Sequence, residues 1–332
     1  MFKDAMQTMH IDVKKMPLGK LSKQQIAKGF EALEAIETAL QDQPSSLKQL
    51  EELSSRFYTI IPHNFGRNRP PPINTQEVIQ AKKDMLLVLA DIELAQSLQA
   101  QKKDEEEEIE IEVPHPLDKN YRLLKCDLTL VDPTSEDYKL IETYVEKTGG
   151  DYRKLKVLNI WKVNREGEAS RFKAHDCLEN RRLLWHGTNV AVIAAILKSG
   201  LRIMPHSGGR VGKGLYFASD NSKSAGYVCP TSQRIGIMFL NEVALGKEYR
   251  IVHDDHTLRK PPDGYDSVLA CGRTEPDPAH DKVIILDGKK VLVSQGKAIP
   301  MPQYKNSSFF QSEYLIYQES QCCIRYLVQL QF

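Results

Sequence analysis

The sequence of 332 residues has almost no excess charge and no long apolar segment. Its 45 lysines and arginines are balanced by 44 aspartates and glutamates, which leaves a formal net charge of +1. It therefore lacks the cationic surplus with which many proteins hold nucleic acid. The longest apolar run in the N-terminal part, residues 85–90, is far shorter than the roughly 20 residues that span a bilayer. We expect no membrane segment and little DNA affinity from this chain.

The six cysteines form no CxxC pair and no regular spacing. Disulfide frameworks depend on an oxidising compartment and zinc sites on such spacing, so we expect reduced thiols and an intracellular protein. The first residues also lack the charged-then-apolar layout of a signal peptide. His253-Asp254-Asp255-His256 is a tight cluster of metal-ligand residue types, but it has neither HExxH spacing nor a cysteine partner. We interpret it as a polar surface turn and predict no metal.

The composition, with 41% hydrophobic and 27% charged residues, is that of a globular protein, and the length favours two domains. Apolar residues recur three and four positions apart over the first hundred residues, which predicts a helical bundle. Ser22 and Gln25 form a capping-box pattern for a first helix that stops before Pro44, and Thr75 can cap a third, longer helix. The stripes that we expect to be buried are Ile26, Phe30, Leu33, Ile36 and Leu40, then Leu47, Leu50, Leu53 and Phe57, then Val78, Ile79, Met85, Leu86, Leu89, Ile92 and Ala95.

An acidic run over residues 102–112 is interpreted as a solvated linker, and from about Leu117 the apolar period changes to two. The fold class predicted is α+β: an N-terminal all-α helical bundle (1–112, including the linker) followed by a mixed, largely antiparallel β-sheet domain with short helices (113–332). The predicted strands are Leu124–Val131, Leu155–Val163, Arg182–Trp185, Ile235–Ala244, Val283–Leu286 and Ile324–Gln331, and the short helices are Glu136–Lys147, Val190–Ser199 and Ser222–Val228.

A glycine-rich segment over residues 208–214 resembles a phosphate loop but fails both common patterns. A P-loop needs Gly where Ser207 stands and Ser or Thr where Gly214 stands. A dinucleotide fingerprint needs a third Gly at Phe217. Neither a P-loop NTPase nor a Rossmann dehydrogenase is supported, and a ligand-bordering loop or a plain glycine turn both remain open.

Three further motifs carry candidate chemistry. His186 and Gly187 follow the apolar end of a strand, where an imidazole and an unhindered backbone could meet a ligand. Ser224 and Tyr227 are three positions apart on a predicted short helix and share a face. Glu313 begins an apolar strand, where an unpaired carboxylate would be costly. Each motif taken alone also has a structural explanation: a core histidine, packed aromatics or a paired acid.

Together the three motifs resemble the catalytic region of the poly(ADP-ribose) polymerase family. His186, Tyr216 and Glu313 match its His-Tyr-Glu signature, in the order His-Gly-Thr, Gly-Lys-Gly-Leu-Tyr-Phe-Ala-Ser and Glu-Tyr-Leu-Ile-Tyr. The N-terminal part resembles the family's helical regulatory domain, entered at Pro17–Ser22. Residues 312–321 are most similar to a family member that transfers mainly single ADP-ribose units and responds to DNA breaks.

The resemblance implies roles at the nicotinamide end of NAD. The backbone of Gly187 would pair with the carboxamide, and the hydroxyl of Ser224 would add a hydrogen bond. Tyr227 would stack on the ring, with Tyr216 on the opposite side. Glu313 would bond the ribose 2′-hydroxyl, stabilise the positive charge that develops as the nicotinamide bond breaks, and help to orient the acceptor.

The resemblance also implies contacts to the adenosine half of NAD. His186 would bond the adenosine ribose, and Thr188 and Arg202 would contact the same half. His186, Tyr216 and Glu313 are thus the expected catalytic residues, with NAD+ as co-substrate and no metal.

The implied activity is NAD-dependent ADP-ribosylation of acceptor proteins, including the protein itself, in the nucleus and in response to DNA strand breaks. Breaks would be sensed by a module absent from this chain, and the helical domain would shield the NAD site until that module engages. We expect a monomer. The alternatives are a poly(ADP-ribose) chain-forming enzyme, an NAD glycohydrolase and an inactive NAD-binding module. Glu313 argues against the last, because a pure binder needs no carboxylate beside the bond to be broken.

Overall fold

The computed structural model describes residue 11 and residues 22–41, 47–65, 69–105, 116–149, 154–203 and 209–332. Contacts between Cα atoms divide the chain into two compact units, one made mainly of the N-terminal helices and the other of Pro114–Ile203 and Arg210–Phe332. Each unit has its own apolar core. In the described residues, none of the helices combines the length and the apolar character needed to cross a bilayer.

The described part of the N-terminal unit contains three long helices. They are α1 (Lys23–Gln41), α2 (Leu47–Ile60) and α3 (Gln76–Glu105). The hydroxyl of Ser22 accepts the Gln25 backbone N–H at 3.1 Å, as an N-cap should. The Gln25 side chain, however, donates to the Ile60 carbonyl at 2.8 Å, so it ties α1 to the end of α2. The predicted capping box is therefore only half formed.

The predicted apolar stripes form the core of this unit, with exceptions at the helix starts. Phe30, Leu33 and Leu86 are at most 2% exposed. Leu47 and Val78, in the first turns of α2 and α3, are 69% and 36% exposed, so their prediction as core residues was wrong. Leu40 and Leu53 are half-buried, and the side chain of Ala95 lies outside the described ones.

The end of α3 changes the interpretation of the acidic segment. The helix continues to Glu105, because residues 76–105 contain neither glycine nor proline and are rich in helix formers. The first part of the predicted linker, residues 102–105, is thus helical. Its remainder, residues 106–112, lies outside the described residues.

The second unit is an α+β domain, as predicted. Its sheets have the strand orders β1-β2-β13-β5-β3-β10-β9, β4-β12-β7-β6 and β11-β8. Among the strands that the structure describes, β3–β10 and β6–β7 are parallel pairs and the others are antiparallel. The strands are β1 (Cys126–Leu130), β2 (Lys156–Arg165), β3 (Arg181–Gly187), β4 (Leu215–Phe217), β5 (Ile235–Ala244), β6 (Glu248–Ile251), β7 (Ser267–Ala270), β8 (Thr274–Pro276), β9 (Lys282–Leu286), β10 (Lys289–Val293), β11 (Ala298–Pro300), β12 (Glu313–Ile316) and β13 (Cys322–Gln331).

The helices of this unit are short. Those in the described residues are α4 (Pro116–Leu123), α5 (Glu136–Thr148), α6 (Glu168–Phe172), α7 (Ile193–Ser199) and α8 (Asn221–Ala225), together with short 3₁₀ turns. The predicted helix over residues 190–199 is divided into a 3₁₀ turn at Val190–Val192 and α7. The predicted helix over residues 222–228 ends earlier, at Ala225. All six cysteines have free thiols, as expected of a reducing compartment.

Two sheets meet beside the predicted site residues. Trp185 in β3 and Ala218, which follows β4, exchange backbone hydrogen bonds of 2.9 and 3.0 Å. This bridge connects the seven-stranded and four-stranded sheets. The indole ring of Trp185 is fully buried and packs 5.0 Å from the ring of Tyr144. The strand ends that carry the site are therefore anchored in the core.

Candidate active site

His186 is the last residue but one of β3, and a hydrogen bond orients its ring. Its Nδ1 atom lies 2.9 Å from the carbonyl oxygen of Tyr216. Because a carbonyl can only accept, Nδ1 carries the proton and Nε2 of the neutral ring has a lone pair. Burial lowers the pKa of His186, an effect that the bond to Tyr216 partly offsets. The ring is thus neutral at pH 7 and can accept a hydrogen bond from a hydroxyl group.

Gly187 ends β3 in close contact with α8. A Cβ atom at Gly187 would lie 1.9 Å from the carbonyl oxygen of Ser224, so no other residue fits without moving the backbone. The Ser224 hydroxyl is buried and donates to the Trp185 carbonyl at 3.2 Å. While it does so, it has only lone pairs to offer a ligand. The absence of a side chain at Gly187 lets the end of β3 pack directly against the backbone of Ser224.

Tyr216 lies in the middle of β4 and fixes the glycine-rich segment. Its hydroxyl donates to the Gly212 carbonyl at 2.8 Å and accepts the Val211 N–H at 3.0 Å. Gly212 has a φ of +76°, and a Cβ there would lie 1.9 Å from the Leu258 carbonyl oxygen. The described part of this segment, from residue 209 on, is therefore constrained beside Tyr216, and its role as the border of a ligand site stays a prediction.

Glu313 is the first residue of β12 and is 6% exposed. Its Oε1 atom lies 2.5 Å from Nζ of Lys223 in α8, whose side chain is 19% exposed. This pair compensates a buried carboxylate that would otherwise be costly. The sequence motif that contains Lys223 predicts no role for it. The 90 positions between the two residues leave no local pattern that could have revealed the pair.

The three residues of the His-Tyr-Glu signature are connected through a series of contacts between their strands. His186 bonds to Tyr216, and Tyr216 faces Leu315 of β12 across the sheet. Glu313 begins that strand and pairs with Lys223. Ser224, also in α8, donates a hydrogen bond to Trp185 and so links this helix to β3. These contacts link β3, β4, β12 and α8, the elements that carry most of the predicted site residues.

The remaining predicted residues differ in burial and in their distance along the chain from these elements. Thr188 is buried directly after β3. Tyr227 lies beyond the end of α8 and is 54% exposed, whereas Ser224 is buried, so the two do not share a helix face as predicted. Burial, together with the negative charge of Glu313, raises the pKa of Tyr216 well above its usual value, so its hydroxyl keeps its proton. Arg202 is exposed, and among the described residues no contact joins it to the others.

The segment His253–His256 has a structural role that the sequence did not reveal. Arg210 donates to both carboxylate oxygens of Asp254, each at 2.7 Å, and its guanidinium lies 4.2 Å from the centroid of the Phe309 ring. This polar turn thus fastens the glycine-rich segment to the loop before β12. In the part of the chain that the structure describes, no group of three acidic, histidine or cysteine residues could hold a metal ion.

Comparison with known proteins identifies the family of the chain. The family model described as poly(ADP-ribose) polymerase catalytic domain matches residues 135–332, and the model of the poly(ADP-ribose) polymerase regulatory domain matches residues 1–121. The chain therefore belongs to the poly(ADP-ribose) polymerase family, which confirms the resemblance found in its motifs.

Individual relatives match over the whole chain. It is 72% identical to protein mono-ADP-ribosyltransferase PARP3 of Gallus gallus over 100% of this chain. Against the protein of the same name from Homo sapiens, the identity is 62% over 99% of this chain. It is 41% identical to poly [ADP-ribose] polymerase 1 of Gallus gallus over 99% of this chain and 32% of that protein. The chain spans 62% of the length of the two mono-ADP-ribosyltransferases.

Proposed function

We propose that this chain is an NAD-dependent protein ADP-ribosyltransferase that mainly attaches single ADP-ribose units to acceptor proteins, itself included, and releases nicotinamide. The observation that carries the proposal is the series of contacts that links the strands of His186, Tyr216 and Glu313 with one another and with α8. The names of the mono-ADP-ribosyltransferase relatives support the restriction to single units.

The residues present fit an NAD molecule at its nicotinamide end. A planar carboxamide needs one donor and one acceptor, and on this proposal the backbone N–H and C=O of Gly187 supply them. Ser224 has lone pairs for the amide N–H, and the exposed ring of Tyr227 can stack on the nicotinamide. Tyr216, whose hydroxyl is held by Val211 and Gly212, lies on the side of the nicotinamide ring opposite to Tyr227 on this proposal. On this proposal Thr188 and Arg202 contact the adenosine half.

His186 and Glu313 have complementary tasks. The Nε2 lone pair of His186 accepts a hydrogen bond from the adenosine ribose. The Glu313 carboxylate, paired with Lys223, accepts a hydrogen bond from the 2′-hydroxyl of the nicotinamide ribose. A negative charge held there stabilises the positive charge that develops on that ribose when the nicotinamide bond breaks. The reaction itself needs no metal on this proposal.

We further propose that residues 1–112 are a regulatory domain and residues 113–332 the catalytic domain. The helical domain restrains activity until a DNA-sensing module outside this chain engages a strand break, in the nucleus. The match of residues 1–121 to the family's regulatory model supports this division. We expect the chain to act as a monomer.

The proposal is tested by incubating the chain with NAD labelled in its adenylate and with an acceptor protein, beside a Glu313→Gln variant. We expect a discrete labelled protein band that is lost in the variant, since an amide keeps the shape of the carboxylate but not its charge. A high-mass smear would instead identify a chain-forming polymerase. Label found only as free ADP-ribose would identify an NAD glycohydrolase.

Absence of turnover is resolved by a second experiment. The assay is repeated with residues 1–112 deleted, after circular dichroism has verified that the remaining chain is folded. Activity in the deleted form would support restraint by the helical domain. If the shortened chain is folded but turns over no NAD, the enzyme proposal is overturned and the inactive NAD-binding module becomes the better interpretation.

A further inference from the structure

The carboxylate of Glu275 lies between two strands that carry signature residues. Its Oε1 atom accepts a hydrogen bond of 2.6 Å from the hydroxyl of Ser219 and another of 2.6 Å from the hydroxyl of Tyr314. Ser219 stands three positions after Tyr216, and Tyr314 directly follows Glu313. One oxygen atom therefore binds both segments.

The hydroxyl groups are donors in this arrangement, because an ionised carboxylate can only accept. Burial and the negative charge of Glu275 raise the pKa of Tyr314 well above its usual value, so its hydroxyl keeps its proton. Charge-assisted hydrogen bonds of this kind are shorter and stronger than those between neutral groups. The two contacts are therefore strong enough to hold their strands in register.

A third strand is connected through the ring of Tyr314. The guanidinium of Arg182 lies 5.5 Å from the centroid of that ring, within reach of a cation–π interaction. Arg182 belongs to β3, four positions before His186. The strands that supply His186, Tyr216 and Glu313 are thus all tied to one cluster: Arg182, Tyr314, Ser219 and Glu275.

Glu275 is itself held by its backbone. It lies in β8, opposite Ile299 of β11. The preceding residue, Thr274, donates its N–H to the Phe310 carbonyl at 3.0 Å and forms a bridge with Gln311. The backbone that carries this carboxylate is therefore held in a short strand pair, next to the loop that leads into Glu313.

We propose that Glu275 is a positioning residue for the transfer reaction, which holds β4 and β12 so that Glu313 meets the ribose in the correct place. It does not touch NAD. The inference rests on the proposed function. Because Tyr314 adjoins Glu313, loss of the Glu275 carboxylate displaces the carboxylate that acts in the transition state. Gly187 is held instead by its packing against α8 and by the bond from Ser224 to Trp185, so the proposed nicotinamide end of the site keeps its affinity for NAD.

The experiment compares Glu275→Ala with Glu275→Gln in the full chain. We expect the alanine variant to lower kcat about tenfold and to change the KM for NAD less than about threefold. The glutamine variant should retain at least half of kcat, since its carbonyl oxygen can accept both hydroxyl protons. Tyr314→Phe should reduce kcat in the wild-type background but have no further effect in Glu275→Ala.

A core variant controls for simple destabilisation. Ile160→Val removes a methyl group from the centre of β2, a strand that pairs with β1 and β13 and supplies no predicted site residue. It should lower the melting temperature without lowering kcat. The positioning role would be overturned if Glu275→Ala left kcat unchanged or altered only KM. It would also be overturned if Ile160→Val lowered kcat equally, or if Glu275→Gln lowered kcat as much as Glu275→Ala.

A second measurement separates this inference from the proposed function. If the wild-type protein turns over no NAD, either as the full chain or with residues 1–112 deleted, the proposed function fails. Amide hydrogen exchange then tests separately whether Glu275 holds β4 and β12 in place. Faster exchange in β4 and β12 of Glu275→Ala, but not of Glu275→Gln or Ile160→Val, would support the positioning role. Equal exchange rates in all of them would overturn it.

Discussion

The ammonium group of Lys223 lies 2.5 Å from the carboxylate of Glu313, although 90 positions separate the two residues. Both side chains are largely buried. Few solvent molecules compete for either charge, so each partner strongly determines the position of the other. The pair connects α8, which also carries Ser224, to the strand of the signature glutamate.

We expect Lys223→Met to lower the rate of ADP-ribose transfer by about 10- to 100-fold. Without its counter-charge, the buried carboxylate is poorly tolerated and turns away from the position that the ribose requires. Lys223→Arg should retain more activity, because it keeps the positive charge. Initial rates at saturating NAD measure the effect.

The control for this prediction is Lys139→Met. Lys139 pairs with Glu136 at 3.1 Å, but both side chains are more than half exposed, and exposed pairs contribute little. Its rate should equal that of the wild type. A Lys223→Met variant with the wild-type rate would show that the ion pair is not needed for transfer.

Gly187→Ala should remove NAD turnover, with a loss of at least about 100-fold. The added Cβ would meet the Ser224 carbonyl oxygen at 1.9 Å, and because that atom belongs to the backbone, α8 has to move. The same movement disturbs both Ser224 and Lys223. Isothermal titration with nicotinamide should show lost binding in the variant.

Gly226→Ala is the matched control for this substitution. Gly226 follows α8 with a φ of −62°, and its Cβ would be 3.2 Å from the Lys223 carbonyl oxygen. An alanine fits there after a small adjustment. Equal binding by the Gly187 and Gly226 variants would contradict the assignment of Gly187 to the nicotinamide site.

Much of the architecture could be predicted from the sequence, because its signals are local. Helical and strand periodicities predicted the α+β class, and three short motifs identified the family. The contacts that shape the site are not local. Arg210 pairs with Asp254, and Glu275 binds Ser219 across 56 positions. A turn interpreted as polar surface, His253–His256, thus acquires its role only when the folded chain brings Arg210 to it.

Asp281 makes the stability of the catalytic unit depend on pH. Burial, with the negative charges of Glu275 and Asp277, raises the pKa of Asp281 to about 6, against the opposing effect of Arg182. Between about pH 4 and 6 the folded chain therefore binds more protons than the unfolded chain. Because of this difference, the contribution of Asp281 to the free energy of unfolding falls as pH rises through that range.

Asp281→Asn should consequently be more stable than the wild type at pH 7.5, by about 1–2 kcal/mol after allowance for partial solvation. The difference should be much smaller near pH 4, where the folded wild-type carboxyl is also neutral. Urea unfolding at both pH values measures it. Asp263→Asn, at a side chain 96% exposed, should show no such difference. A stabilisation of equal size at pH 4 would refute the linkage to Asp281.

Gly212→Ala and Gly264→Ala distinguish backbone strain from steric clash. The two glycines have φ values of +76° and +84°, so an alanine is strained at either position. A Cβ at Gly264 meets nothing within 4 Å, whereas one at Gly212 would lie 1.9 Å from the Leu258 carbonyl oxygen. Gly264→Ala should cost about 1–2 kcal/mol and leave the KM for NAD unchanged.

Gly212→Ala should have a larger effect, and on binding as well. Its carbonyl accepts a hydrogen bond from the hydroxyl of Tyr216, so a shift of the loop releases the ring that we propose as one wall of the nicotinamide site. We expect the KM for NAD to rise about tenfold, measured in parallel with the melting temperatures of both variants. If Gly264→Ala raised KM equally, the effect would come from general strain. If Gly212→Ala left KM unchanged, Tyr216 would not need the loop to hold its place.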